Sequence, residues 1–221
     1  MEPNPQRKHP GHRPIDFDVL KAIIRNNPAP AAPESGFYKP ACVFLLLFDH
    51  TTPHILAIQK TDSEGYPWSN HVALPGGHLD EEDASPLEGA FRELEEEMSI
   101  NRNQVDLLGS IGHFQTINHR DIEVFAGLWN GRGPVEHDPA EIARVLEIPL
   151  QVLFHTHLAR GYHNRTPAVN ELIYPFEDVE VWGATARILH HFIELLYPIL
   201  QENGSRVPNS KFSNYAGLAE P

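Results

Sequence analysis

One cysteine in 221 residues rules out a fold held together by disulfides. Cys42 lies inside an apolar run and reads as a packed thiol, which fits a reducing compartment, so a cytoplasmic location is expected. Basic residues are also scarce. The 17 Lys and Arg against 30 Asp and Glu leave a formal charge of −13. Such a chain lacks the clustered cations that grip a phosphate backbone, so binding to nucleic-acid duplexes is not expected. Long apolar stretches are missing too. The longest, Ala41 to Phe48, has eight residues, far below the roughly 20 that span a bilayer, and no membrane segment is expected. The opening Met1 to Pro14 is basic, broken by prolines and without an apolar centre, unlike a secretory signal.

What is present suits one folded domain: 41% apolar and 21% charged residues in a chain of this length. Residues 1–14 and 202–221 are polar and rich in turn formers, so mobile tails are expected around a domain at 15–201. Phe17, Leu20, Ile23 and Ile24 recur at helical spacing, and a connector from Pro28 to Pro33 follows. Strands are expected at Cys42–Asp49, His54–Lys60, Val105–Ile111 and Ile122–Trp129, with shorter ones at Glu171–Phe176 and Val179–Trp182. Two further helices are expected, inside Ser85–Met98 and from about Ala184 to Leu200. The pattern predicts an α/β or α+β sandwich, a mixed sheet flanked by helices. Trp182 and Phe192 read as core. Among 14 histidines, His155-Thr156-His157 and His190-His191 lack the spacing and acidic company of a zinc motif, so no zinc site is expected.

The segment from Leu74 to Ile100 is the informative one. Pro75-Gly76-Gly77 ends a strand in a turn that other residues resist, and Ser85-Pro86 with Glu88 predicts a helix start with a capping box. On a helical wheel with Glu93 at zero, Leu87, Ala90, Phe91, Leu94 and Met98 fall between about 60° and 160°. Glu96, Glu93 and Glu97 fall at about 300°, 0° and 40°, and Glu95 points away near 200°. Like charges three and four residues apart cost a helix roughly 0.2–0.5 kcal/mol per pair. A hard divalent cation, which prefers oxygen ligands, offsets that repulsion.

Gly77, Asp83 and Arg92-Glu93-Leu94-Glu95-Glu96-Glu97 together resemble the box of the Nudix hydrolase superfamily. The 15 steps from Gly77 to Arg92 are one more than usual, Asp83 stands where glutamate is usual, and Ser99 replaces a terminal glycine. The extra step and the aspartate look like the branch that includes coenzyme A pyrophosphatases. Glu141-Ile142-Ala143-Arg144 before Ile148-Pro149-Leu150, and Val181-Trp182-Gly183-Ala184-Thr185-Ala186, extend the similarity. The arginine-rich arm of those enzymes is replaced here by Lys60, Trp68 and Asn70.

The resemblance implies a Nudix-type α/β/α sandwich that hydrolyses the pyrophosphate bond of coenzyme A or a related nucleoside diphosphate derivative. Nucleotide sugars, ADP-ribose, dinucleotides and a silent nucleotide sensor remain as alternatives. It implies Mg²⁺ or Mn²⁺ held by Glu93, Glu96 and Glu97, with a backbone carbonyl of Gly77. Glu93 would activate water, oriented by Arg92, unless Arg92 only pairs with Glu96 on the surface. Glu141 would either reach the metals or start a helix facing solvent. Asp83 would secure the loop, and Tyr66 and Trp68 would stack on a base. A homodimer is left open.

Overall fold

The computed structural model describes residues 16–34, 36–49, 52–62, 69–132 and 135–204. Tyr66, Trp68, the expected tail at 1–14 and all but the first three residues of the one at 202–221 lie outside them. Helix α1, Phe17–Asn26, is capped by the Asp16 carboxylate, which accepts the amides of Asp18 and Val19. Leu20 and Ile24 bury its inner face.

The sheet has seven strands: β1 (Lys39–Phe48), β2 (His54–Lys60), β3 (Val72–Ala73), β4 (Gly76–His78), β5 (Val105–Gln115), β6 (Arg120–Trp129) and β7 (Ile142–Pro149). Its spine runs β3-β2-β1-β6-β5, with β4 paired to β1 and β7 to β2. The β1–β6 pair is parallel and every other pair in it antiparallel, so the sheet is mixed. Four consecutive residues of β1, Phe44 to Leu47, are buried because helices cover both faces. Cys42, Phe44 and Leu46 face α2 (Pro86–Met98), through Ala90, Phe91, Leu94 and Met98. Leu45 and Leu47 face the opposite core with α1, α3 (Leu150–Ala159) and α4 (Gly183–Gly204). The sandwich expected from the pattern is therefore the fold. Cys42 is fully buried, and that burial pushes its thiol pKa up to about 12.

Several expectations need correction. Strand β7 and helix α3 were not expected. Helix α3 buries Leu150, Val152, Leu153, Phe154 and His157 on several sides, so it carries no single apolar stripe to read. Strand β7 alternates imperfectly and finds its partner β2 across more than 80 residues of chain. Glu141 therefore precedes a strand and not a helix, although it faces solvent as that alternative had it. Strands β8 (Tyr174–Phe176) and β9 (Val179–Val181) form a separate hairpin. Trp182 is not core: it is 45% exposed and stands edge-on to His71, while Phe192 is fully buried. Helix α4 runs on to Gly204. The connector is stitched to β5, because the His113 amide donates to the Pro30 carbonyl at 2.8 Å.

Candidate active site

Helix α2 starts as its sequence dictates, with the Ser85 hydroxyl accepting the Glu88 amide at 3.3 Å. The second half of the expected capping box is replaced, because the Glu88 carboxylate turns to Arg102 at 2.5 Å. The helix ends at Ser99 with φ of 53°, a left-handed conformation that glycine adopts at less cost.

Strand β4 lays the Gly76-Gly77 backbone across α2. A Cβ on Gly77 would stand 2.5 Å from the Glu93 carboxyl carbon, so the absent side chain is the space that Glu93 fills. Gly76 has φ of 140°, and a Cβ there would lie 2.3 Å from the Cys42 carbonyl oxygen. Glycine is required at Gly76 by contact with backbone and by conformation, whereas a side chain at Gly77 would push the Glu93 carboxylate out of its seat.

Arg92 is the hub of the site. Its Nε and Nη2 hold both oxygens of Asp83 at 3.1 and 3.0 Å, and Nη2 also donates to the His78 carbonyl at 3.1 Å. Its Nη1 reaches Glu93 at 3.1 Å and Glu96 at 2.9 Å. One side chain thus contacts both Glu93 and Glu96. These bonds, led by Asp83, raise the guanidinium pKa and hold the Asp83 carboxyl below its ordinary value. Asp83 also accepts the Asp80 amide at 2.8 Å, securing the loop as expected. Gly89 makes room for it, since a Cβ there would meet Asp83 Oδ2 at 2.8 Å.

The three glutamates differ in surroundings. Glu96 is 60% exposed, Glu93 18% and Glu97 8%. Burial raises the Glu93 pKa, opposed by Arg92 and reinforced by the like charges of Glu97 and Glu96. Glu97 accepts Lys60 Nζ at 2.7 Å and the Gly76 amide at 2.9 Å. Sequence reasoning noted Lys60 only as standing where an arginine-rich arm is replaced, and missed this ion pair, which joins residues 37 apart. Glu141 is exposed and immediately precedes β7, its carbonyl accepting the Thr61 amide at 3.0 Å, one residue from Lys60.

The donor set fits a hard divalent cation. All side-chain donors are carboxylate oxygens on one helix face, and the Gly77 cradle seats one of them against the backbone. The three carboxylates do not all close to within 4.8 Å of one another. A hard cation that keeps several waters does not need them to. Among the described residues the histidine-lined cavity of about 630 Å³ lies elsewhere, across the sheet beside α4. It does not include the α2 glutamates, and the chemistry of the side chains locates the candidate active site more reliably than the size of a cavity.

A glycine loop folded over an arginine-organised acidic helix, on a mixed sheet between helices, defines a hydrolase of the Nudix class. The NUDIX domain model matches residues 38–183, and the chain belongs to that family. It is a Nudix hydrolase, acting on pyrophosphate bonds in nucleotide derivatives, and such enzymes generally use divalent metal ions. The Nudix hydrolase NudL of Yersinia pestis is 26% identical over 162 residues, covering 72% of this chain and 81% of that protein. The solved NUDIX domain of Shewanella oneidensis NrtR, bound to ADP ribose, is 16% identical with a TM-score of 0.49, covering 79% of this chain and 97% of that one. An Ap4A hydrolase of C. elegans gives 18% identity, a TM-score of 0.44, and coverage of 50% and 80%. Among the described residues no helix is long and apolar enough to cross a membrane.

Proposed function

We propose that this domain, residues 15–201, hydrolyses the pyrophosphate bond of coenzyme A or a related nucleoside diphosphate derivative with Mg²⁺ or Mn²⁺. Glu93, Glu96 and Glu97 hold the cation, with the Gly77 carbonyl as backbone ligand and Glu141 as a further carboxylate at the start of β7. The cation, when bound, neutralises diphosphate charge and acidifies a coordinated water. Glu93 accepts a proton from the attacking water. The water oxygen bonds to one phosphorus, and the bridging oxygen leaves with the other phosphoryl group. Arg92 keeps Glu93 in place through the bond between Nη1 and Oε1, and Lys60 holds Glu97, which would turn to a cation when one is bound. Tyr66 and Trp68 stack on the base.

The observation that carries this is the Glu93 carboxylate, half-buried against Gly77 and gripped by Arg92. Coenzyme A is favoured by the longer box and by Asp83, the two-pronged partner of Arg92. A panel of coenzyme A, ADP-ribose, NADH, nucleotide sugars and diadenosine polyphosphates tests it. Cleavage of coenzyme A with Mg²⁺ or Mn²⁺, abolished by chelator, is expected. Preference for another panel member replaces the substrate assignment, and full turnover in excess EDTA overturns the metal chemistry. Nucleotide binding without cleavage of any member favours the sensor.

A further inference from the structure

Histidines that the sequence left in two unrelated pairs meet at one place. His157, on α3, is fully buried, and its Nε2 lies 2.6 Å from Glu194 Oε1 on α4. His190 sits one helical turn before Glu194, so both side chains leave the same face of α4. Ligand atoms of His157, His190 and Glu194 all lie within 4.8 Å of one another, the one such set of three among the described residues. Glu194 is the acidic company missing from the linear motif.

The surroundings hold these groups in fixed orientations. Tyr174 Oη is 2.8 Å from His157 Nδ1, leaving Nε2 directed at the cluster. Glu194 is steadied by His163 Nδ1 at 3.0 Å and by the Asn164 amide at 3.2 Å. Oriented imidazoles with a hydrogen bond on the second nitrogen are how proteins prepare histidine to bind metal. The cluster also has access to solvent space. His190 and Glu194 line the cavity of about 630 Å³, together with Phe114, Arg165 and Arg187.

We propose that His157, His190 and Glu194 form a transition-metal site of the Zn²⁺ class, with an open coordination position facing that cavity. Two imidazoles and one carboxylate make a mixed N/O set, which suits Zn²⁺ and its neighbours better than Mg²⁺. Ligands at about 2.0–2.2 Å in a tetrahedron stand roughly 3.3–3.6 Å apart, so His157 and Glu194, now 2.6 Å apart, need to separate by about 0.7–1 Å. The arginines beside the open position give the cavity a preference for anions that complete the coordination.

This site is across the sheet from the α2 glutamates, and its test is made independent of them. The full chain carrying Glu93→Gln, Glu96→Gln and Glu97→Gln is titrated with Zn²⁺ by calorimetry and with Co²⁺ by visible absorption. One equivalent of Zn²⁺ and a Co²⁺ band of a four- or five-coordinate site are expected. His190→Gln, at a half-buried position, and His157→Gln should each weaken Zn²⁺ binding by about tenfold or more. Circular dichroism checks folding, and if His157→Gln does not fold, His190→Gln decides alone. No Zn²⁺ uptake by the triple-glutamine protein overturns the site and leaves a hydrogen-bonded Tyr174–His157–Glu194 chain. Uptake that survives His190→Gln undiminished also overturns it.

Discussion

The acidic face of α2 and the histidine cluster beside α4 are both gatherings of ionisable side chains, but they are satisfied by opposite means. The glutamates are held by full cations, with Arg92 on Glu93 and Glu96 and Lys60 on Glu97. At the other site, a single carboxylate, Glu194, is shared by two imidazoles and a backbone amide. Burial opposes its ionisation, yet the hydrogen bonds from His163, His157 and the Asn164 amide outweigh it and lower its pKa. A site with surplus negative charge keeps attracting cations after its own are counted. The site proposed beside α4 offers instead a mixed set of nitrogen and oxygen donors, which suits softer ions.

The largest effect is expected where charge and chemistry coincide. Glu93→Gln should cut turnover by a factor on the order of 10² or more while the fold persists, since Glu93 is off the buried stripe of α2. Glu95→Gln, exposed on the same helix, should leave steady-state turnover nearly intact. Equal activities would erase the distinction between the two faces of α2.

Lys60→Met should destabilise the metal-free protein by about 1–3 kcal/mol, because Glu97 is left buried without its cation. Added Mg²⁺ should recover most of that loss in thermal melts, and more than it stabilises the wild type. No recovery would mean that metal and Lys60 do not compete for Glu97.

Tyr174→Phe should lower stability by about 1–2 kcal/mol in denaturant unfolding, with no Mg²⁺ rescue, because it strips the partner of a buried imidazole. Rescue by Mg²⁺ would blur the contrast between the two sites.

The smallest effect separates the sites by pH. Arg92 holds the folded Asp83 pKa below its unfolded value of about 3.9. That stabilisation is present above about pH 4 and is lost as the pH falls through the folded value. Asp83→Asn should therefore melt lower than wild type at pH 7, and the gap should close below pH 4. A gap independent of pH would show that Asp83 acts by shape and not by charge.

Helix α2 was legible because everything it needs is local. Ser85 and Pro86 set its start, a 3.6-residue period separates stripe from acid, and Gly76-Gly77 marks the strand that crosses it. The same locality explains the correct strands β1 and β2, whose apolar runs are contiguous, and β5 and β6, whose apolar residues cluster within a few positions. Strand β7 and helix α3 escaped notice because one is defined by a distant partner and the other is apolar on several sides.

The sequence by itself determined the family box, the helix that bears it and the sandwich around it, since short-range periodicity and turn chemistry specify each. Only the tertiary structure decided that Lys60 meets Glu97, that Asp83 grips Arg92 over the space left by Gly89, and that His157 reaches Glu194. Except for the loop-to-helix grip of Asp83, these pairs span 37 residues each, and no spacing rule reaches so far. Burial brings them together: chain packing chooses the neighbours, and charge and hydrogen bonding then hold the arrangement that packing made.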